Sequence, residues 1–280
     1  LNTEIARNYL REEKFPSVWC PGCGHGVILA SILRAIHKIG WSKEKTVMVS
    51  GIGCAGRIPG YVDFCTLHTT HGRALAFATG IKFAKPELNV IVVMGDGDAA
   101  AIGGNHLIHA ARRNIDVTAI VFNNFIYGMT GGQKSPTTPR GFLSTTSPYG
   151  NAEPPFDLCK LVKGAGAVFV ARGTEYHIPA LDTIIYKAFS KRGFSFVEAA
   201  TMCPTSFGRR NKLTSDAYKN MEWIKSNAVT KSKAEGMSEE ELKGKIITGI
   251  FADTSRDEFV EYYEKNILKE GECPKNMKLD

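Results

Sequence analysis

The sequence contains no apolar run approaching the ~20 residues that a membrane-spanning helix requires. Its opening stretch, LNTEIARNYLREEKFP, is too charged for a secretory signal peptide. These two absences predict a cytoplasmic protein with no membrane partner. There is no internal repeat and no low-complexity tract, which excludes a repeat array. Lysines and arginines are spread along the chain rather than clustered with aromatics, so nucleic acid is not the expected partner. The net charge of +7 would still suit an anionic substrate or an acidic protein. Seven cysteines at irregular spacing form an odd set, which excludes a simple disulfide framework and favours metal or redox work in a reducing compartment.

At 280 residues and 43% hydrophobic, the chain can bury a sizeable core. Short β-branched runs alternate with helical patterns, the signature of an α/β protein with a mostly parallel sheet covered by helices. The predicted strands are TVMVSG (46–51), NVIVVMG (89–95), VTAIVFN (117–123), AVFVA (167–171) and FSFVEAA (194–200). Each is apolar on both faces, as buried parallel strands are. Apolar residues at three- and four-residue spacing predict helices over 26–40, 72–84, 99–113 and 177–192. A loop of Gly, Pro and Thr character runs from Tyr127 to about Pro155, and loops of that length inside a compact domain are usually functional. From about Pro204 the composition turns lysine- and glutamate-rich, in NKLTSDAYKNMEWIKSNAV and SEEELKGKIITGIF. We read residues 1–205 as the α/β domain and 206–280 as a helical C-terminal extension serving subunit or partner contact.

Ligands of an open α/β sheet bind beyond the carboxyl ends of its strands. The run 89–95 leads into GDGDAA, whose glycines allow close backbone approach to a phosphate before a helix start that favours anions. Asp96 is placed to hold a divalent cation. A bare GDG is also a common tight turn, but the next strand ends in Asn123-Asn124 and FIYGMTGGQ. Carboxylate and amide oxygens from adjacent strand ends would suit Mg²⁺. The run 46–51 ends in GIGCAGR and brings Cys54 to the same edge, followed by His68 and His71 in HTTHGRALAFATG. Near the N-terminus, SVWCPGCGHG places Cys20 and Cys23 in a C-x-x-C that fits zinc, a redox disulfide or an iron–sulfur cluster.

The GDG-to-Asn pairing resembles the diphosphate-binding motif of thiamine diphosphate enzymes. With CPGCG, GIGC, GDGDA, NN and YGMTGGQ in this order, residues from about Trp19 to Thr205 resemble the β subunits of 2-oxoacid:ferredoxin oxidoreductases. TGGQKSPTTPRG and HTTHGRALAFATGIK are most similar to the members that use 2-oxoglutarate. The resemblance implies a thiamine diphosphate-binding fold and a Mg²⁺ held by Asp96, the Asn124 side chain and the Ile126 carbonyl. It also implies one [4Fe–4S] cluster on Cys20, Cys23, Cys54 and Cys203, leaving Cys65, Cys159 and Cys273 as ordinary thiols. Ile52, Gly53, Cys54 and Ala55 would line the thiazolium and diphosphate region, with His71 near the phosphates. Gly95, Gly97 and Asp98 would meet the diphosphate, Gly128, Met129 and Thr130 would close over it, and His25 would stand nearby.

By the same resemblance the reaction is oxidative decarboxylation of a 2-oxoacid with CoA as co-substrate and ferredoxin as electron acceptor, or its reverse. No residue of this chain is assigned a catalytic role beyond cofactor contact, because the family places the glutamate that activates the aminopyrimidine on a partner α subunit. An αβ or (αβ)₂ assembly is expected. The chain lacks ferredoxin-type C-x-x-C-x-x-C-x-x-x-C-P runs, so a single cluster is expected. Arg57, Arg73 and Lys134 could meet a distal substrate carboxylate or serve as surface charges. Three other readings stay open: the same machinery acting on pyruvate or a branched 2-oxoacid, a thiamine-dependent carboligase or non-oxidative decarboxylase, and a zinc-stabilised binding module. Zinc sites typically use two close ligand pairs, whereas Cys54 and Cys203 are lone and far apart in sequence.

Overall fold

A computed structural model describes residues 1–213 and 216–268. Among the described residues ten strands run in chain order: β1 Thr46–Ser50, β2 Cys65–His68, β3 Asn89–Gly95, β4 Thr118–Asn123, β5 Ile126–Tyr127, β6 Gln133–Lys134, β7 Phe169–Thr174, β8 Ser195–Ala200, β9 Ala228–Thr230 and β10 Ile246–Asp253. Eight of them form one sheet in the order β2-β1-β3-β4-β8-β7-β10-β9, and β5 pairs with β6 as a small separate ribbon. Every pairing in the large sheet is parallel except β10 against β7. The fold is the α/β arrangement expected from the sequence. All five predicted strands are present within a few residues, because each is apolar on both faces and buried along its length or nearly so.

Helices cover both faces. His25–Ile39 and Ile178–Phe189 pack together on one side, over Met48, Ile91, Val93, Ile120, Phe122 and Val197. Ala74–Ala84, Gly104–Arg113 and Leu158–Gly164 cover the other, over Val49, Val92, Met94, Val121, Val170 and Phe196. The first helix stops at Gly40 and the fourth of these at Asn114, both left-handed, the C-terminal conformation that glycine and asparagine adopt most readily. The predicted helix over 99–113 is divided into a wide π-type turn, Asp98–Ile102, and a regular helix, Gly104–Arg113. Such turns inside helices recur at functional sites.

The C-terminal stretch corrects one expectation. The composition of SEEELKGKIITGIF predicts helix, yet only Glu239–Leu242 is helix, and Ile246–Asp253 is β10, which joins the main sheet between β7 and β9. Its isoleucines, threonine and phenylalanine suit a strand better than a helix, and the charged residues ahead of it masked that signal. The other tail segment is helical over Ala217–Asn227. β2 was also missed, since CTLH is half-exposed and carries little apolar signal. Cys273 lies outside the described residues.

Candidate active site

The parallel strands β1, β3 and β4 end on one side of the sheet, and the turns after them enclose a cavity of about 260 Å³. From the turn after β1 come Ile52, Gly53, Cys54 and Ala55. Gly95, Asp96, Gly97 and Asp98 follow β3, and Asn124, Ile126, Gly128, Met129 and Thr130 follow β4. His71, His25, Phe122 and Tyr127 complete the lining. All the residues that the sequence suggested for the diphosphate and its cation therefore share one cavity.

Asp96 is buried, and its Oδ2 accepts hydrogen bonds from the Ser135 and Thr137 hydroxyls, both at 2.5 Å. Burial pushes its carboxyl up to about 6 against the pull of those two donors and of the Asp96 and Gly97 backbone N–H groups. Among the described residues no lysine, arginine or histidine pairs with it. A buried carboxylate without a protein cation fits a divalent ion, which would supply the missing positive charge. Asn124 is also buried and its Oδ1 accepts from the Ile126 N–H at 3.3 Å. The intervening Phe125 is left-handed, with φ of 63°. A side chain rarely adopts that conformation without being held there, and the Phe125 ring is held among Phe207 and Trp223.

Asp98 lines the cavity, but its carboxylate is buried and engaged. Oδ1 accepts from the Gly72 N–H at 2.6 Å and lies 2.7 Å from His71 Nδ1. Burial raises its pKa, opposed by the Gly72 N–H, the His71 ring and the Ile52 N–H. Its local work is therefore to tie the turns after β1 and β2 to the helix start after β3. Gly51 must be glycine, because a Cβ there would run into this carboxylate. The Tyr127 hydroxyl donates to the Gly97 carbonyl at 3.2 Å, and its ring occupies the space a Cβ on Gly97 would need.

The cysteines adjoin the same cavity. Cys54 lines it, and a Cβ on Gly128 would stand 3.1 Å from the Cys203 sulfur. The Thr205 hydroxyl lies 3.5 Å from the Cys203 sulfur and 3.9 Å from that of Cys20. Burial pushes the Cys23 thiol up to about 12, with Cys54 and Cys203 among the charges raising it further, and Cys54 is raised by burial and then by Cys203 and Cys20. The Thr205 hydroxyl thus stands between the Cys20 and Cys203 sulfurs, and Cys23 and Cys54 lie near enough to Cys203 to feel its charge. Among the described residues no three His, Cys, Asp or Glu side chains close on a single ion. A cubane cluster binds each thiolate through a different iron, so it needs a wider set than one ion does.

His25 joins the two parts. It is fully buried, burial lowers its pKa to about 4, and Nδ1 lies 2.8 Å from the Cys23 sulfur. The ring also stacks at a tilt against Phe122, 5.1 Å between centroids, on the cavity wall. His68 bonds Ser50 instead, through Nδ1 at 2.8 Å, and does not line the cavity. Cys65 is exposed on β2, and Cys159 is buried against Glu198, its thiol held well above the ordinary range by desolvation.

Comparison with known proteins agrees with this geometry. Residues 51–199 match the thiamine pyrophosphate enzyme C-terminal TPP binding domain. The 2-oxoglutarate synthase subunit KorB of Methanothermobacter marburgensis is 54% identical over 250 residues, 89% of this chain and 87% of that one. The chain belongs to the KorB family of 2-oxoglutarate synthase subunits. The KorB of Methanocaldococcus jannaschii is 50% identical, with 94% of this chain and 97% of that one aligned. Among solved structures, a 2-oxoglutarate:ferredoxin oxidoreductase from Magnetococcus marinus, with 2-oxoglutarate, coenzyme A and succinyl-CoA bound, superposes with a TM-score of 0.82. It is 34% identical, covering 93% of this chain and 88% of that one. Family membership makes this an enzyme subunit, and the matched domain makes its cofactor thiamine diphosphate.

Several residues at the site were not singled out from the sequence. Ser135 and Thr137 sit in the long loop, where hydroxyls read as solvated. Glu175 is buried beneath Gly24 and bonds the Thr201 hydroxyl at 2.7 Å. Arg172 and Glu198 face each other across β7 and β8 and form a buried ion pair at 2.9 Å. Opposite charges inside two otherwise apolar strand runs were the available signal for that pair.

Proposed function

We propose that this chain is the β subunit of a CoA-dependent 2-oxoacid:ferredoxin oxidoreductase. It would convert 2-oxoglutarate to succinyl-CoA and CO₂, or run the reverse carboxylation, together with an α subunit in the cytoplasm. The observation that carries this reading is the meeting of two donor sets, oxygen and thiol, on one cavity. Thiamine diphosphate, when bound, supplies stabilisation of the carbanion left by decarboxylation, and a [4Fe–4S] cluster supplies a one-electron acceptor beside it.

The chain's own residues divide the remaining work. Asp96, Asn124 and the Ile126 carbonyl would hold Mg²⁺, Gly95 leaves open space for a diphosphate against the backbone, and Gly97 makes room for the Tyr127 ring. Asp98 keeps His71 and the Ile52–Ala55 turn in register around it. Gly128, Met129 and Thr130 wall the far side, and Phe122 and Ile52 keep the interior apolar. Cys20, Cys23, Cys54 and Cys203 would hold the cluster. The neutral His25 sets the Cys23 sulfur against the cavity wall. The α subunit would complete the site, residues 206–280 would serve subunit or partner contact, and the +7 charge would favour an acidic ferredoxin.

The α/β complex purified without oxygen should be brown, absorb broadly at about 400 nm and carry about four irons per β chain. Colourless protein containing zinc would refute the redox reading. Steady-state rates with 2-oxoglutarate, pyruvate and a branched 2-oxoacid test the substrate, and a strong preference for pyruvate would overturn that assignment.

A further inference from the structure

Asp96 is held by a loop whose two hydroxyls both reach the same carboxylate oxygen. Ser135, Thr137 and Thr138 are each buried, although they belong to the irregular segment after β6. The segment is anchored from several directions. The Thr138 hydroxyl donates to the Phe125 carbonyl at 2.6 Å and accepts from the Ser135 N–H at 2.9 Å. Asn151 Nδ2 donates to the Thr138 carbonyl at 2.7 Å.

The protons in this cluster are ordered by the charged groups at its two ends. Asn123 Nδ2 donates to Glu198 Oε1 at 2.8 Å, and Glu198 Oε2 meets Arg172 Nε at 2.9 Å. This fixes the Asn123 amide with Oδ1 toward the loop, where it accepts the Phe125 N–H at 3.1 Å. The Thr137 hydroxyl lies between Asn123 Oδ1 and Asp96 Oδ2. Its single proton goes to the carboxylate, the shorter and charged contact. Ser135 Oγ accepts the Thr137 N–H at 3.4 Å and gives its own proton to the same Oδ2. Two hydroxyl donors thus converge on Oδ2 of a carboxylate that lines the cavity, and among the described residues no side-chain donor is placed on Oδ1.

We infer that Ser135 and Thr137 are positioning residues that confine Asp96 to one-oxygen coordination and thereby make the site select a small octahedral cation over a larger one. The inference rests on the reading of Asp96 as a cation ligand. Mg²⁺ demands near-ideal octahedral geometry and takes one carboxylate oxygen, whereas Ca²⁺ accepts six to eight ligands and readily takes a carboxylate through both oxygens. Blocking Oδ2 with two hydroxyls penalises the second mode.

The test uses the α/β complex stripped of thiamine diphosphate and divalent ions, titrated with thiamine diphosphate at saturating Mg²⁺ or Ca²⁺. Binding is followed by tryptophan fluorescence or calorimetry, and folding by circular dichroism and thermal melting. Ser135→Ala combined with Thr137→Val should lower Mg²⁺-supported affinity by roughly 10–100-fold, the usual effect of losing outer-shell partners. The ratio of Ca²⁺- to Mg²⁺-supported affinity should rise. Thr137→Ser, which keeps the hydroxyl, should restore the original ratio. A folded double variant with an unchanged ratio overturns the inference, whatever its Mg²⁺-supported affinity, as does a Thr137→Ser variant that behaves like Thr137→Val. Should the double variant not assemble, the single variants Ser135→Ala and Thr137→Val decide by the same ratio. Asp96→Asn separates the two levels: cation-dependent cofactor binding that survives in it defeats the assignment of Asp96 itself. If Asp96→Asn abolishes that binding while the hydroxyl variants match the unaltered complex, only the selectivity inference fails.

Discussion

Asp96 and Cys54 border the same cavity, yet the carboxylate is met by hydroxyl donors while Cys23 and Cys54 are held from ionising by burial and by neighbouring thiols. Around Asp96 the Ser135 and Thr137 hydroxyls are both engaged, and the adjoining Phe125 turn is tied through Asn123 and Glu198 to a buried arginine, with Asp98 Oδ2 the buried oxygen there that lacks a hydrogen-bond partner among the described residues. Around the thiols, burial and mutual repulsion oppose ionisation, and the Oε1 of the neighbouring Glu175 has no hydrogen-bond partner among the described residues. The oxygen side is preformed by hydrogen bonds that exist without a ligand. The sulfur side gathers its donors but leaves their charge to be settled by whatever they bind. A protein can prepare a site for a hard cation with its own dipoles, whereas a thiolate cage is completed energetically by its metal.

The contrast can be broken most severely at the cysteines. Cys20→Ser should reduce iron from about four per chain to near zero and bleach the absorbance at about 400 nm. Thiamine diphosphate binding, measured by calorimetry, should persist, because Cys20 does not line the cavity. Loss of both together would mean that the oxygen side is not preformed. Asp96→Ala should do the converse: iron stays, and cofactor affinity falls by more than the roughly 10–100-fold that an outer-shell partner is worth. Retained affinity there would count against the cation site.

Glu175 gives a pH-dependent comparison. Burial raises its carboxyl from 4.5 to about 7, opposed by the Thr201 hydroxyl and the Met202 N–H. The folded state then holds a proton that the unfolded state has released, so stability falls as pH rises from about 4.5 through about 7. A shift of that size corresponds to at most about 3 kcal/mol. Glu175→Gln should remove this slope and raise the melting temperature at pH 8 more than at pH 5; equal shifts at both would refute a buried, proton-holding carboxyl. The smallest effect should come from Tyr127→Phe, which loses one hydrogen bond to the Gly97 carbonyl. About 1 kcal/mol, or a few-fold in cofactor affinity, is expected, and a hundredfold loss would show that the hydroxyl does more than join two turns.

Much of this architecture could be read from residue order alone. Parallel strands advertise themselves because both faces are buried, and sites at their carboxyl ends inherit their positions from strand boundaries. What escaped notice was polar and interior. Ser135 and Thr137 lie in a stretch whose composition reads as solvated, and nothing local reveals that the loop folds inward beneath β3. Glu198 and Arg172 are a single charge each within apolar runs, and only the pairing of β7 with β8 makes them neighbours. β10 was hidden by the acidic and basic residues in front of it, since a window averaging SEEELKGK with IITGIF sees mixed helical character.

Phe125 has a consequence for the whole chain. Its left-handed backbone lies between the two residues that would present oxygens to the cation, and its ring is clasped by Phe207 and by Trp223 from the helix Ala217–Asn227. Phe142 stacks on Phe207 at 5.1 Å and extends the clasp to the long loop. The C-terminal stretch is thus a remote handle on the catalytic turn, reached through a chain of rings rather than through any contact with a ligand. A truncation after residue 205, harmless on a map of the cavity lining, would release Phe125 and let the turn relax. The same cut would strip β9 and β10 from the sheet, so the cofactor turn and the sheet edge depend on one stretch of chain.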